Sequence, residues 1–153
     1  MRSESYAVIL RGMTEKPRVL YAREQDLGAG EFRRVLVESG LGAWRPVEDL
    51  PRLEEMLRGA SMTVTARLDD TPRTLVGVAR SVTDFSWCAY LSDLAVSKSA
   101  QGLGVGKGLI DETRRLLGPR VSLYLFSVPD AAAFYERIGM QRFADAFWFR
   151  RER

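Results

Sequence analysis

The stretch Gln101-Gly102-Leu103-Gly104-Val105-Gly106-Lys107-Gly108 carries the most suggestive chemistry in the chain. It lies between an apolar run ending at Val96 and a helical pattern beginning near Val105. A strand that stops, a backbone freed by glycines and a helix N-terminus together make an anion cradle. The first amide N–H groups of a helix have no intrahelical acceptor, and the helix dipole adds partial positive charge there. The expected occupant is a phosphate or pyrophosphate, with Lys107 either adding a charge contact or sitting solvated in the first turn.

Spacing separates the nucleotide-binding patterns that place glycines at such a junction. A dinucleotide fingerprint needs G-x-G-x-x-G early in a βαβ unit. Read from Gly102 the third glycine falls on Lys107, and read from Gly104 it falls on Leu109. A P-loop needs four residues between its glycines and then Lys with Ser or Thr. Here Gly102 and Gly106 enclose three residues, and Gly108 follows Lys107 where a hydroxyl is required. Both patterns fail.

Two absences narrow the chemistry further. The chain has no histidine, so neither a Ser–His nor a Cys–His nucleophile pair nor an imidazole metal ligand can form. Its one cysteine, Cys88, has no internal disulfide partner and no histidine to activate it, which favours a reducing compartment and an inert thiol. Any general base must be Asp, Glu, Tyr, a perturbed Lys, or water held by one of them. The net charge of +3 is mild, and the basic residues are scattered apart from Arg150, Arg151 and Arg153. Solvated arginines explain that balance better than a nucleic-acid surface. No apolar stretch approaches the ~20 residues of a membrane span, and the N-terminus lacks a signal-peptide layout. A cytoplasmic location is expected, with no nucleic acid and no membrane as partners.

The elements that must position the glycine turn read as follows. With 153 residues, a single domain over residues 1–153 is expected. Tyr6–Leu10 and Val19-Leu20-Tyr21 suggest short strands joined through Gly12 to Arg18. Phe32, Val35 and Leu36 place a helix over Glu31 to Ser39, ended by Gly40, with a flexible connection to Ala43. Trp44-Arg45-Pro46 is extended, and a second helix is expected from Val47 to Arg58. Met62, Val64, Ala66 and Leu68 alternate as a half-buried strand. Leu75 to Thr83 is the next strand, where Gly77 marks a bulge or a close backbone approach. Trp87 to Val96 feeds the glycine turn. Val105 to Leu117 is the strongest helix; a strand from Val121 to Phe126, a helix capped by Asp130 and terminal strands at Arg142-Phe143 and Phe147–Phe149 follow. The sum is an α/β (α+β) fold around a mixed sheet, led by an antiparallel meander.

Gln101-x-x-Gly104-x-Gly106, following Leu91-Ser92-Asp93-Leu94-Ala95-Val96, resembles the acetyl-CoA loop of the GNAT superfamily, whose signature is Q/R-x-x-G-x-G/A. Leu123 to Phe126 and then Phe134-Tyr135-Glu136-Arg137-Ile138-Gly139-Met140 look like the later strand and "FYxxxGF" helix of that superfamily. Trp44-Arg45-Pro46, Val76-Gly77-Val78-Ala79-Arg80 and Phe147-Trp148 are similar to small bacterial members related to plant chloroplast and arylalkylamine acetyltransferases. The resemblance covers about Leu75 to Phe149.

It implies a GNAT-like fold: a central, mostly antiparallel sheet splayed between the fourth and fifth strands and flanked by about four helices. Carried onto this chain, it implies that the backbone of Leu94, Ala95 and Val96 pairs with the pantetheine arm of acetyl-CoA. The pyrophosphate would rest on the amides from Gly102 through Leu103, Gly104, Val105, Gly106 and Lys107, with Gln101 shaping the turn. Ser127 and Phe134 would lie along the same ligand, Ser127 being equally readable as an idle loop serine. Tyr135 would meet the leaving thiolate with a proton; the plainer alternative is a core tyrosine. A neutral amine must attack, so its proton needs an acceptor. Asp93 is the candidate, or else an acid that accepts backbone hydrogen bonds at a strand bulge. Asp84 with Phe85, Trp87 and Tyr90 offers a second, aromatic acceptor wall.

The expected function is transfer of acetyl from acetyl-CoA to a primary amine by direct attack in a ternary complex, without a metal. A small-molecule acceptor is expected, a protein lysine or a non-catalytic acyl-CoA sensor being the alternatives. The resemblance also implies a homodimer, through the terminal strands.

Overall fold

A computed structural model describes residues 16–152. The expected strand at 6–10, and the loop after it up to residue 15, lie outside the described residues. Five strands form one sheet in the order β1 (Val19–Arg23), β2 (Met62–Leu68), β3 (Leu75–Thr83), β4 (Cys88–Val96) and β5 (Ser122–Tyr124). The first four are an antiparallel meander, and β5 pairs parallel to β4. Hairpin chemistry explains the meander. Asp70 Oδ1 accepts from the Thr74 amide at 2.8 Å, and Thr74 Oγ1 donates to Asp70 Oδ2 at 3.0 Å, closing the β2–β3 turn.

Helices cover both faces. On one side lie α1 (Ala29–Ser39) and α2 (Leu50–Arg58), whose Phe32, Val35, Leu36 and Leu53 are fully buried against Leu75, Val78 and Ala95. On the other lies α3 (Val105–Leu117), with Leu109 and Ile110 packed on Met62, Val64, Ala66 and Leu91. The short α4 (Ala132–Arg137) follows β5. Gly77 lets α3 settle on the sheet: a Cβ there would lie 2.9 Å from Leu109 Cδ1 and 3.1 Å from Val105 Cγ1. A register shift in the β2–β3 ladder falls beside it, so bulge and close approach coincide.

Several expectations change. Met62 to Ala66 is buried at every residue, not on alternate ones, because helices cover both faces of the sheet. Thr63 and Thr65 fill the second face, where Thr65 Oγ1 donates to Glu24 Oε2 at 2.8 Å. The segment after Gly40 is a 3-10 turn over Leu41–Trp44. The second helix begins at Leu50 instead of Val47, since Asp49 Oδ1 accepts from the Arg52 amide and caps it there. Asp130 caps nothing; it lies inside the 3-10 turn Pro129–Ala131, and Ala131 occupies the cap of α4. The terminal alternation at Arg142-Phe143 and Phe147–Phe149 forms no strand. Period-2 patterning needs a ladder to pair with, and the three-residue β5 is matched only to β4 among the described residues.

Candidate functional site

The site grows from a defect in β4. The β3–β4 register shifts between Arg80 and Ser81, pairing Arg80 with Asp93 and Ser81 with Leu91, so Ser92 is the extra residue of a bulge. The Ser97 amide donates to Val76 O at 2.9 Å. Hydrogen-bonded pairs alternate along an antiparallel ladder, so Ala95 and Asp93 also bond toward β3. Leu94 and Val96 therefore direct their N–H and C=O groups away from β3, and Gln101 Nε2 duly donates to Val96 O at 3.0 Å. On that side β5 meets only Cys88, Ala89 and Tyr90. Beyond Tyr90 the two strands part.

A cavity of about 730 Å³ opens at this gap. Leu94 and Val96 form one wall, Gln101, Gly102, Gly104 and the first turn of α3 the next, and Phe134 and Tyr135 of α4 the third. Ser39, Gly40, Leu41 and Trp44 complete the rim. A hollow of about 780 Å³ between α3, β5 and the segment after α4 contains none of the candidate residues. Of these two, the smaller is the candidate site, because it joins the β4 edge, the start of α3 and the Tyr135 hydroxyl.

The backbone of the glycine loop has the geometry that suits an anion. Gly102 and Gly104 have φ of +80° and +81°, which a side chain would strain, although each has open space where a Cβ would go. Gly104 precedes α3, and the first helical bond runs from the Gly108 amide to Gly104 O at 3.0 Å. The amides of Val105, Gly106 and Lys107 thus have no helical acceptor. Gly106 keeps room for Phe134, whose Cζ would lie 3.1 Å from an added Cβ. Gly108 has another purpose: a Cβ would lie 2.3 Å from the Tyr21 ring. The Lys107 ammonium pairs with Asp111 at 2.5 Å on the exposed helix surface. Leu103 is half-buried and packs on the core beneath α3, and Ala95 is buried in the core on the α1 side.

Tyr135 is half-buried against Phe134, their ring centroids 5.1 Å apart. Burial raises its phenol above the ordinary value, and the positive charge of Arg45 opposes that rise. The hydroxyl keeps its proton at neutral pH. Ser127 stands away from the cavity; it is exposed, and its hydroxyl donates to Val128 O at 2.7 Å, while Val128 lines the wall instead.

Asp93 is fully buried and does not line the cavity. Its Oδ1 accepts from Arg45 Nε and its Oδ2 from Arg80 Nε, the latter at 2.5 Å. Arg45 Nη2 also donates to Ser92 O at 2.6 Å, and Arg80 Nη2 to Ser92 Oγ at 2.9 Å. Sequence reasoning named neither arginine as a site residue. An arginine inside the apolar run of Leu75 to Thr83 was the available signal, because a buried guanidinium requires a partner.

The aromatic wall does not assemble at this cleft. Asp84 Oδ1 accepts from the amides of Ser86, Trp87 and Cys88, and those bonds hold its carboxyl below the ordinary range. Arg23 covers the Phe85 ring at 5.2 Å, Trp87 is exposed, and Tyr90 packs on Phe126. The Cys88 thiol is exposed, 4.0 Å from Asp84 Oδ2.

A splayed, mostly antiparallel sheet with a glycine cradle at the split defines a class. Residues 30–140 match the model of the Acetyltransferase (GNAT) family. The chain belongs to that family. It is 29% identical over 109 residues to the uncharacterized N-acetyltransferase ycf52 of Pyropia yezoensis, a match covering 67% of this chain and 63% of that protein. The matched stretch thus spans somewhat less than two thirds of the relative. Among solved structures it is similar to a GNAT-family acetyltransferase of Streptococcus pneumoniae TIGR4, with TM-score 0.66 and 20% identity over 88% of this chain and 100% of the other. It is also similar to the aminoglycoside N-acetyltransferase AAC(6')-Iy in complex with CoA, with TM-score 0.66 and 16% identity over 91% and 98% of the two chains. At these identities the likeness is one of fold. Among the described residues no helix is long and apolar enough to cross a membrane.

Proposed function

We propose that this chain is an acetyl-CoA-dependent N-acetyltransferase acting on the primary amine of a small molecule by direct attack in a ternary complex. The observation that carries the reading is the continuity of one cavity from the outward amides of Leu94 and Val96 to the orphan amides at the start of α3. An extended arm bearing amides, ending in a pyrophosphate, fits that sequence of donors. Strand-edge pairing holds the arm, and the helix N-terminus holds the phosphates. Acetyl-CoA supplies an activated thioester when bound.

The roles of the chain's own groups follow from their chemistry. An N–H of the β4 edge polarises the thioester carbonyl and stabilises oxygen charge as it develops. Tyr135, a neutral phenol whose pKa burial raises further, donates its proton to the departing sulfur. Asp93, with both oxygens engaged by guanidinium groups and no solvent exposure, serves as an anchor, and the proton of the attacking amine leaves through water instead. Lys107, whose own amide belongs to the cradle, swings its ammonium from Asp111 to the phosphates at little cost because that pair is exposed.

A thiol-release screen with acetyl-CoA across arylalkylamines, polyamines, amino acids and peptide lysines tests the reading. Turnover with at least one small amine is expected. Acetyl-CoA binding with no turnover on any acceptor would make the chain a sensor, and turnover restricted to peptide lysines would make it a protein acetyltransferase.

A further inference from the structure

Building on the reading of this cleft as an acetyl-CoA site, we propose that Arg45 and Arg80 are positioning residues that lock the β4 bulge and so decide which amides face the ligand arm. The alternation of the ladder makes the argument. Below the bulge, Trp87 O accepts from the Ser122 amide, so the odd-numbered residues Trp87, Ala89 and Leu91 face β5. Above it, the even-numbered Leu94 and Val96 face the gap. The parity changes only because Ser92 is inserted. A one-residue slip would turn Leu94 and Val96 into the β3 ladder and leave Asp93 and Ala95 on the open edge.

The extra residue of a bulge has no ladder partner, so its backbone needs another. Arg45 and Arg80 supply the hold from opposite elements. Arg45 reaches from the segment after α1, donating to Asp93 Oδ1 and to Ser92 O at 2.6 Å, and its own Nη1 donates to Trp44 O at 2.9 Å. Arg80 reaches from β3, donating to Asp93 Oδ2 at 2.5 Å and to Ser92 Oγ at 2.9 Å, with Nη1 tied to Met56 O at 3.2 Å. Both residues of the irregularity are therefore gripped twice. A buried charge cluster of this kind adds little net stability over apolar packing, so its use here is to select one register among competitors. Tyr135 shares the cavity with the edge that the clamp sets.

Calorimetric titration tests the proposal with two ligands: acetyl-CoA, and 3′-phosphoadenosine diphosphate, which has the nucleotide half without the arm. Arg45→Gln is expected to weaken acetyl-CoA by about tenfold, the scale of one or two lost hydrogen bonds. The nucleotide half, held by the glycine cradle, should stay within about twofold. Arg45→Lys keeps a cation beside Asp93 but loses the planar two-point grip, and should show the same selectivity in smaller degree; it serves if the glutamine variant does not fold. Equal weakening of both ligands, or no weakening of acetyl-CoA, overturns the clamp. A wild-type protein that binds neither ligand overturns the reading of the cleft itself, and the clamp with it.

Discussion

Tyr135 and the glycines of the cradle work by different physics, and substitutions separate them. In the proposed reaction the Tyr135 hydroxyl acts through its proton, which burial helps it keep above neutral pH. Tyr135→Phe keeps the ring contact with Phe134 and removes only the donor. We expect kcat to fall by about 10²-fold, the usual scale of a positioned proton donor, with the Kd for acetyl-CoA nearly unchanged. An unchanged kcat in steady-state assays would remove Tyr135 from the chemistry. Because its folded pKa is raised, the acid form persists as pH climbs, so kcat should show no fall between about pH 7 and 9 from loss of this proton. Gly104 matters for its backbone: at φ +81° an alanine costs about 1–2 kcal/mol, with nothing nearby to clash. Gly104→Ala should weaken acetyl-CoA more than it lowers Tm, since the strained residue heads the cradle.

At the scale of elements, α3 owes its place to residues without side chains. Gly108 lies against Tyr21 of β1, so Gly108→Ala should destabilise the fold by about 1–3 kcal/mol in denaturant melts. Gly30, the second residue of α1 with open space around it, is the contrast; Gly30→Ala should stabilise by about 0.4–1 kcal/mol. Charge ties β1, β2 and α1 together at another corner. Arg67 donates to Glu24 Oε1 at 2.7 Å and to Glu31 Oε2 at 2.8 Å. Those hydrogen bonds are the main reason both carboxyls lie below the ordinary value of 4.5. A depressed folded pKa gives stability that is fully present above the unfolded value and is lost as pH falls through the folded one. Tm should therefore drop on acidification below about pH 4.5 more steeply in the wild type than in Arg67→Gln. Parallel acid limbs would refute the role of this cluster.

For the whole molecule, one sheet between two helical layers concentrates stability in two cores. Phe32 is fully buried, whereas Phe147 is 92% exposed. Phe32→Ala should cost about 3–5 kcal/mol and Phe147→Ala less than about 0.5 kcal/mol, compared by urea midpoints. Much of this architecture was legible in local pattern. Helical spacing of Phe32, Val35 and Leu36 marked α1, Gly40 and Gly118 marked helix ends, and the β2–β4 meander followed from turn residues at Asp69–Arg73. What misled were signals whose meaning depends on neighbours. The alternation at Phe147–Phe149 had no ladder to join, and Asp130, a favoured capping type, fell one residue before the cap of α4. Ser127, three residues past the end of β5, is exposed, and its hydroxyl donates to Val128 O.

The sequence by itself determined the order of elements from the first helix to the helix that holds Tyr135, and the glycine turn ahead of α3. Each rests on a short-range cause: periodicity, backbone freedom or a helix N-terminus. Only the tertiary structure decided which β4 amides face the gap and what Asp93 does there. Asp93, Arg80 and Arg45 lie 13 and 48 residues apart along the chain, and no local pattern records that two guanidinium groups close on one buried carboxylate. That meeting is set by the docking of β3 and the segment after α1 around a single inserted residue, Ser92.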